Sequence, residues 1–277
     1  MIRDYRVIDF HIHTATINQL TMQVIDFFSN ANKFYADNFT EKIDPDKVIE
    51  YLRIEGVEKA VSLCEYNPLS SGVVANEFVS AFCAGHEELI PIASMNFHSP
   101  VPFLEQALTA VDELNMKGFK LLPSYDNYYP HDPRLYPVYA LAQERGLPVM
   151  FHTGTSIFTG TRIKYADPLL LDDIACDFPN LTILLEHGGR SFWYDRVAWM
   201  LLRHKNVHVG LAGIPAKHLY DNFKHIEKYS DRFVFGSDWP GISDIHVMAE
   251  KLMDLPISRE VKEKMFYHNA ARILGLR

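Results

Sequence analysis

Eight short apolar segments recur along the 277-residue chain, and stretches with helix signals separate them. Most are nearly continuous apolar runs, which is typical of strands covered on both faces of a parallel sheet. The predicted strands are 5–10, 59–64, 90–95, 117–122, 147–152, 181–186, 206–211 and 232–237. Eight strands alternating with helices over this length predict a single-domain (β/α)8 TIM barrel. A doubly wound open sheet is the alternative, but no Gly-x-Gly-x-x-Gly sequence follows the first strand.

Aspartate-proline pairs mark the start of several helices. Asp44, Asp132 and Asp167 each precede a proline, so the carboxylate can cap the helix while the proline occupies its first turn. Ser258 is placed to cap the C-terminal helix, and Gly146 stands where a C-terminal cap is expected. These signals predict helices in the intervals between the strands.

The interval after the first strand is unusually long. Residues 14–43 exceed the common length of a βα loop and are rich in phenylalanine and tyrosine. In a barrel, a segment that follows a strand lies at the C-terminal mouth. We therefore expect residues 14–43 to form an insertion over the barrel mouth, as a lid or a partner surface.

Residues able to bind a metal collect at the predicted strand ends. His11 and His13 are two apart on one strand, so their side chains share a face, and neutral imidazole is a favoured zinc ligand. Active sites of TIM barrels lie at the C-terminal ends of the strands. The other residues of this kind are His152 and His187, which end strands five and six, Asp238 after strand eight, and Lys120 on strand four.

Each of these residues also has a purely structural interpretation. His11 and His13 can be solvated or core histidines at a strand end, and His-x-His is a short pattern. Asp238 can cap a helix before Trp239-Pro240, and His187 can belong to a turn before its glycine pair. The metal hypothesis gains its weight because four of the eight strands end in histidine or aspartate.

Together these motifs resemble the metal-dependent amidohydrolase superfamily. The nearer likeness is to the branch with aminocarboxymuconate-semialdehyde decarboxylase, γ-resorcylate decarboxylase and pyrone-dicarboxylate lactonase. It is carried by Asp9-x-His11-x-His13, His152, His187, the run 236–240 (Gly-Ser-Asp-Trp-Pro) and the run 267–274 (Tyr-His-Asn-Ala-Ala-Arg-Ile-Leu). The resemblance implies a distorted barrel that binds one divalent metal, most often zinc, with manganese as the alternative, and it favours a homodimer.

The resemblance also implies roles for individual residues. The metal ligands would be His11, His13, His152 and Asp238, with His187 and Asp238 as catalytic groups. Glu186 and Asp9 would be partners of the ligands, although strand alternation points Glu186 away. Lys120 would be an ammonium that faces the substrate; the alternative is a carboxylated lysine that bridges two metals. Arg162 and Lys120 would bind a substrate carboxylate, unless they are solvated surface charges.

Three functions fit this set of residues. The first is a hydrolase that uses a metal-activated water on a lactone, amide or related carbonyl of a small carboxylated substrate. The alternative is a decarboxylase of a small unsaturated or aromatic acid, which would use the same residues. A metal-binding scaffold without turnover is the third, although a structural zinc needs no open coordination position.

Composition limits the partners. The formal net charge of −8 argues against a nucleic-acid partner, which usually needs a basic face. The three cysteines (Cys64, Cys83 and Cys176) are scattered and typical of reduced thiols. No apolar run approaches the roughly 20 residues that span a bilayer. The sequence therefore predicts a cytoplasmic protein with a small-molecule substrate and no membrane association.

Overall fold

The computed structural model describes residues 5–39 and 41–276, which form an α/β fold. Each of the eight predicted strands overlaps an observed one. The strands are β1 Ile8–Ile12, β2 Lys59–Leu63, β3 Glu65–Asn67, β4 Gly72–Val74, β5 Leu89–Ile92, β6 Phe119–Leu121, β7 Val149–His152, β8 Ile183–Glu186, β9 Val207–Gly210 and β10 Phe233–Val234. The short hairpin of β3 and β4 was not predicted from the sequence.

Helices separate the parallel strands, as predicted. They are α1 Met22–Ala31, α2 Lys33–Asn38, α3 Pro45–Ile54, α4 Asn76–Cys83, α5 Phe103–Leu108, α6 Pro123–Asp126, α7 Tyr136–Arg145, α8 Asp172–Asp177, α9 Tyr194–Arg203, α10 Ala216–Asn222, α11 Ile245–Met253, α12 Arg259–Glu263 and α13 Asn269–Ile273. Asp44 caps α3 by accepting a hydrogen bond from Asp46 N, and Ser258 caps α12 in the same way from Val261 N. Gly146 ends α7 with a φ of 66°.

The parallel strands form two sheets, ordered β1-β2-β5 and β6-β7-β8-β9-β10. Single parallel bridges join the sheets at both outer edges, between Ala93 and Phe119 and between Ile12 and Trp239. The second edge also carries a backbone hydrogen bond of 2.9 Å from Phe10 N to Phe235 O. The carboxyl ends of β1 and of the β10 region therefore meet.

The register of the sheet aligns the functional strand ends. His152 at the end of β7 pairs with Glu186 at the end of β8, and Glu186 pairs with Gly210 at the end of β9. Both faces of these strands are buried, which explains their continuous apolar sequences. Within the described part of the chain, no helix is long and apolar enough to cross a membrane.

The structure describes the long interval 14–43 except for residue 40. The interval contains two helices, α1 and α2. Its first part packs tightly on the hairpin β3–β4 through a bridge between Leu20 and Gly72. Gly72 has a φ of 129°, and a Cβ there would lie 2.1 Å from the carbonyl oxygen of Gln19. Glycine is therefore needed at this contact.

Candidate metal centre

A cavity of about 460 Å³ lies at the carboxyl ends of the strands. The structure brings all five strand-end residues of the sequence prediction to its wall, together with Lys120. These residues are His11, His13, His152, His187 and Asp238. Aromatic side chains from α1 (Phe27 and Phe28) and from later parts of the chain (Tyr125 in α6, Phe158 in a loop and Tyr194 at the start of α9) complete much of the lining.

Three ligand atoms converge beside the end of β1. His11 Nε2 lies 3.2 Å from His13 Nε2, and Asp238 Oδ1 lies 3.3 Å and 3.4 Å from these two nitrogens. Atoms that bind one tetrahedral zinc ion at about 2.0–2.2 Å stand about 3.3–3.5 Å from one another. The spacing of the three atoms therefore fits a single divalent cation between them.

The second ring nitrogen of His11 is held by Glu186. His11 Nδ1 donates to Glu186 Oε2 at 2.8 Å, so Nε2 carries a lone pair that faces the Asp238 carboxylate. Burial and the charge of Lys120 lower the pKa of His11 to about 4, which keeps the ring neutral. A lone pair and a carboxylate oxygen repel each other, and a cation between them removes that repulsion.

This contact corrects the expectation that Glu186 points away. The alternation of a strand ends at Glu186, because the next residue, His187, has a φ of 64°. Both side chains therefore reach the site from consecutive positions. Asp9 has a different role: its Oδ1 accepts from the backbone N–H groups of His11 and Ser237 and so joins the two edges of the sheets.

Asp238 lies at the centre of the charged groups. Burial would raise the pKa of Asp238, but His187, His13 and the Arg190 guanidinium hold it well below its usual range. Its backbone φ is 70°, and Asp238 N donates to His11 O at 3.0 Å. Residues other than glycine rarely adopt this conformation, and such strained residues cluster at functional sites.

His187 and His152 complete the group of histidines. His187 Nδ1 donates to Ala212 O at 2.8 Å, so its Nε2 is unprotonated, and burial lowers the pKa of His187 well below its usual value. The His187 and His152 ring centroids are 4.6 Å apart. His152 Nε2 is buried without a hydrogen-bond partner among the described residues. A bound cation would give this nitrogen a partner.

The donor set fits a divalent cation. His11, His187 and Asp238 each offer a ligand atom, and these atoms lie within 4.8 Å of one another. His13 adds a nitrogen in the close triangle described above, and His152 Nε2 lacks another partner. Imidazole nitrogens with one carboxylate suit zinc and also manganese or iron. The residues present are therefore compatible with the predicted metal, with more candidate ligands than the four predicted.

Lys120 is buried in this cavity, where the nearby carboxylates of Glu186, Asp238 and Glu65 offset only part of the cost of burying its charge. It is 1% exposed, and its Nζ has no hydrogen-bond partner in the described part of the chain. Burial is the main reason that the pKa of Lys120 is lowered. The ammonium is therefore available to an anionic ligand.

The structure separates the two predicted substrate cations. Arg162 is exposed and lines a separate shallow depression formed by residues 156–164, so it is not a wall of the main cavity. Arg190 lines the main cavity instead. Its guanidinium lies 3.4 Å from Asp238 Oδ2 and donates to Gly213 O. Arg190 was not predicted as a site residue, because nothing local in the sequence shows which loop cation turns inward.

Weakening the hydrogen bond to His11 should weaken metal binding. We expect Glu186→Gln to lower zinc affinity about 10–100-fold, because the partners of metal-ligating histidines commonly have effects of this size. Competition with a chelator measures the affinity. Glu55→Gln is a matched control, since Glu55 is also buried and bonds His246 Nδ1 at 2.8 Å outside the cavity. Equal affinities of both variants would contradict the role of Glu186.

The chain is similar to one known protein family and to several solved structures. Residues 72–276 match a family model described as amidohydrolase. No curated protein matches the chain. An uncharacterised TIM-barrel protein from Bordetella bronchiseptica is 22% identical, with a TM-score of 0.79 and 98% of each chain covered.

Two further solved structures are decarboxylases. One is 2,6-dihydroxybenzoate decarboxylase from Rhizobium, 16% identical with a TM-score of 0.69, covering 98% of this chain and 99% of that chain. The other is 5-carboxyvanillate decarboxylase from Novosphingobium aromaticivorans, complexed with manganese and 4-hydroxy-3-methoxy-5-nitrobenzoic acid. It is 16% identical with a TM-score of 0.69, covering 99% of this chain and 97% of that chain. These likenesses show a shared fold. The family match covers more than half of the chain, and the protein belongs to the metal-dependent amidohydrolase superfamily.

Proposed function

We propose that the protein is a metal-dependent decarboxylase of a small aromatic or unsaturated carboxylic acid. Hydrolysis, the first choice from the sequence, has no specific support in the three solved relatives described above, two of which are decarboxylases. The observation that carries the proposal is a Lys120 ammonium without a hydrogen-bond partner among the described residues, in an aromatic-lined cavity beside the histidine–aspartate centre. This combination selects a flat anion.

The proposed residues divide the chemistry between them. Lys120 and Arg190 hold the anionic substrate, and the aromatic walls exclude water, which strengthens both electrostatic contacts. His11, His13, His152 and Asp238 would hold the metal, and His187 would face the substrate. The metal, when bound, supplies a Lewis acid that stabilises negative charge on the substrate.

The reaction requires one proton transfer to carbon. The bond between the carboxyl carbon and its neighbour breaks, carbon dioxide leaves, and the neighbouring carbon receives a proton. His187 and Asp238 line the cavity, and either can deliver that proton after taking it from a water molecule. Asp238 is a strong acid whenever it is protonated, because its neighbours lower its pKa.

Isotope labelling distinguishes decarboxylation from hydrolysis. We expect the metal-loaded protein to release labelled carbon dioxide from at least one carboxyl-labelled acid in a panel of substituted benzoates and unsaturated acids. In heavy water, the product should carry deuterium at the vacated carbon. Hydrolysis of lactones or amides in ¹⁸O-water, with the label in the product carboxylate and no carbon dioxide, would overturn the proposal in favour of the hydrolase.

Metal content tests the state of Lys120. An unmodified ammonium predicts about one equivalent of zinc or manganese per chain. Two equivalents, with mass spectrometry showing a carboxylated lysine, would indicate a bridged pair of metals instead.

The predicted homodimer and cytoplasmic location remain predictions, and sedimentation measures the oligomeric state.

We infer that the two sheets form one eight-stranded barrel and that residues 14–43 cover its mouth. Two features support this: the bridges at both sheet edges and the contacts of Gln23 on α1 with the loop 156–161. Gln23 Oε1 accepts from Thr159 N and Thr159 Oγ1, both at 2.8 Å, and Phe27 packs on Phe158 with ring centroids 5.5 Å apart.

Opening this contact should loosen the cover. We expect Gln23→Ala to increase amide hydrogen exchange in α1 and in the loop 156–161, because both segments lose hydrogen bonds that join them. Asn38→Ala is the control, since among the described residues the Asn38 amide bonds only within its own helix, to Phe34 O. Unchanged exchange in both segments would contradict a cover held by Gln23.

A further inference from the structure

The hairpin β3–β4 carries a buried carboxylate into the cavity. β3 begins two residues after the last residue of β2, so the hairpin stands at the carboxyl edge of the parallel strands. Glu65, the first residue of β3, is 4% exposed and lines the same cavity as the histidines. The proposed decarboxylation assigns no role to this side chain.

Hydrogen bonds within the hairpin hold one carboxylate oxygen of Glu65, Oε2, and do not involve the other, Oε1. Glu65 Oε2 accepts hydrogen bonds from Asn67 Nδ2 at 3.0 Å and from Ser71 Oγ. Asn67 Nδ2 also donates to Ser71 Oγ at 3.1 Å, so the three side chains orient one another. Within the described residues, Oε1 has no hydrogen-bond donor. The carboxylate is therefore oriented before any ligand arrives.

Lys120 provides the opposite charge in the same cavity. Its Nζ has no acceptor in the described chain, and no direct ion pair joins it to Glu65. The cavity thus contains an acceptor that lacks a donor and a donor group that lacks an acceptor. Leaving the buried Lys120 ammonium unpaired is costly, and a ligand group that can both donate and accept would pair with Lys120 and Glu65 together.

We propose that Glu65 is a specificity-determining residue that accepts a hydrogen bond from a hydroxyl or amino substituent of the substrate. The inference rests on the proposed function, because it adds this requirement to the carboxylic acid that the site accepts. A hydroxyl fits best, since it donates to Glu65 and also accepts from Lys120, whose three N–H donors leave others for the carboxylate. An acid without such a group leaves Glu65 unpaired and is rejected.

Ligand binding tests this role without turnover. The probes are benzoate, the three hydroxybenzoates and the three aminobenzoates, titrated calorimetrically into the zinc- or manganese-loaded protein. We expect at least one substituted benzoate to bind about tenfold or more tightly than benzoate, because a hydrogen bond to a charged group discriminates at this level. In Glu65→Gln that preference should disappear while the Kd of benzoate is unchanged.

The control is Glu77→Gln, an exposed glutamate on the neighbouring helix α4, which should keep the preference. If Glu65→Gln does not fold, as judged by circular dichroism, Ser71→Ala retains the carboxylate but removes one of its two orienting hydrogen bonds, and the preference should fall. Equal binding of all probes, no binding, or an unchanged preference in the variant that folds would overturn the inference. If the preference depends on Glu65 but no acid releases carbon dioxide, only the proposed reaction is refuted. If carbon dioxide is released but the preference does not depend on Glu65, only the role of Glu65 is refuted.

Discussion

His187→Asn is expected to leave the metal bound and to lower kcat about 10²–10⁴-fold, the usual contribution of a positioned acid–base group. The physical reason is that the close triangle of His11, His13 and Asp238 does not depend on the His187 ring, which is held by the backbone oxygen of Ala212. Metal analysis gives the stoichiometry, and carbon dioxide release gives the rate.

His208→Asn is the matched control for this variant. His208 is also a buried strand histidine that contacts a backbone carbonyl, that of Asn206, but it does not line the cavity. It should keep both metal and activity if the protein folds. Loss of metal from His187→Asn would instead make His187 a metal ligand, which its distance to His11 and Asp238 permits.

Lys120→Met should stabilise the protein and impair its use of carboxylates. Methionine fills similar space without a charge, so the variant avoids the cost of a buried unpaired group, about 1–3 kcal/mol, and its Tm should rise by several degrees. The KM for the acid should rise about 10–100-fold, because a charged hydrogen-bond donor to the substrate is lost. Thermal unfolding and steady-state kinetics measure the two effects.

The pH dependence gives a further check on Lys120. Burial lowers the pKa of Lys120 in the folded state, so the unfolded chain binds this proton more readily. The free-energy cost of burying the Lys120 charge is therefore fully present below the folded-state pKa. It disappears as pH rises through the unfolded-state pKa of about 10.4. The gain in stability from Lys120→Met should therefore shrink over this pH range. Lys117→Met, which replaces an exposed lysine, should show neither effect.

Local patterns carry much of the fold information in this chain. The eight strands could be predicted because each is buried on both faces and therefore apolar along its length. Asp44 and Ser258 could be identified as caps because a cap depends on only a few neighbouring residues. The hairpin β3–β4 was missed because its three-residue strands are too short to show a pattern, and Glu65 was missed with it.

The sequence by itself determined which chemistry is available: histidines and an aspartate at the ends of parallel strands, which the fold must bring to one edge. Only the tertiary structure decided which charges enter the cavity. Arg190 enters it and Arg162 does not, and Glu186 reaches His11 because the left-handed backbone at His187 ends the strand alternation. These outcomes depend on loop paths and backbone conformations set by distant packing, which no local pattern encodes.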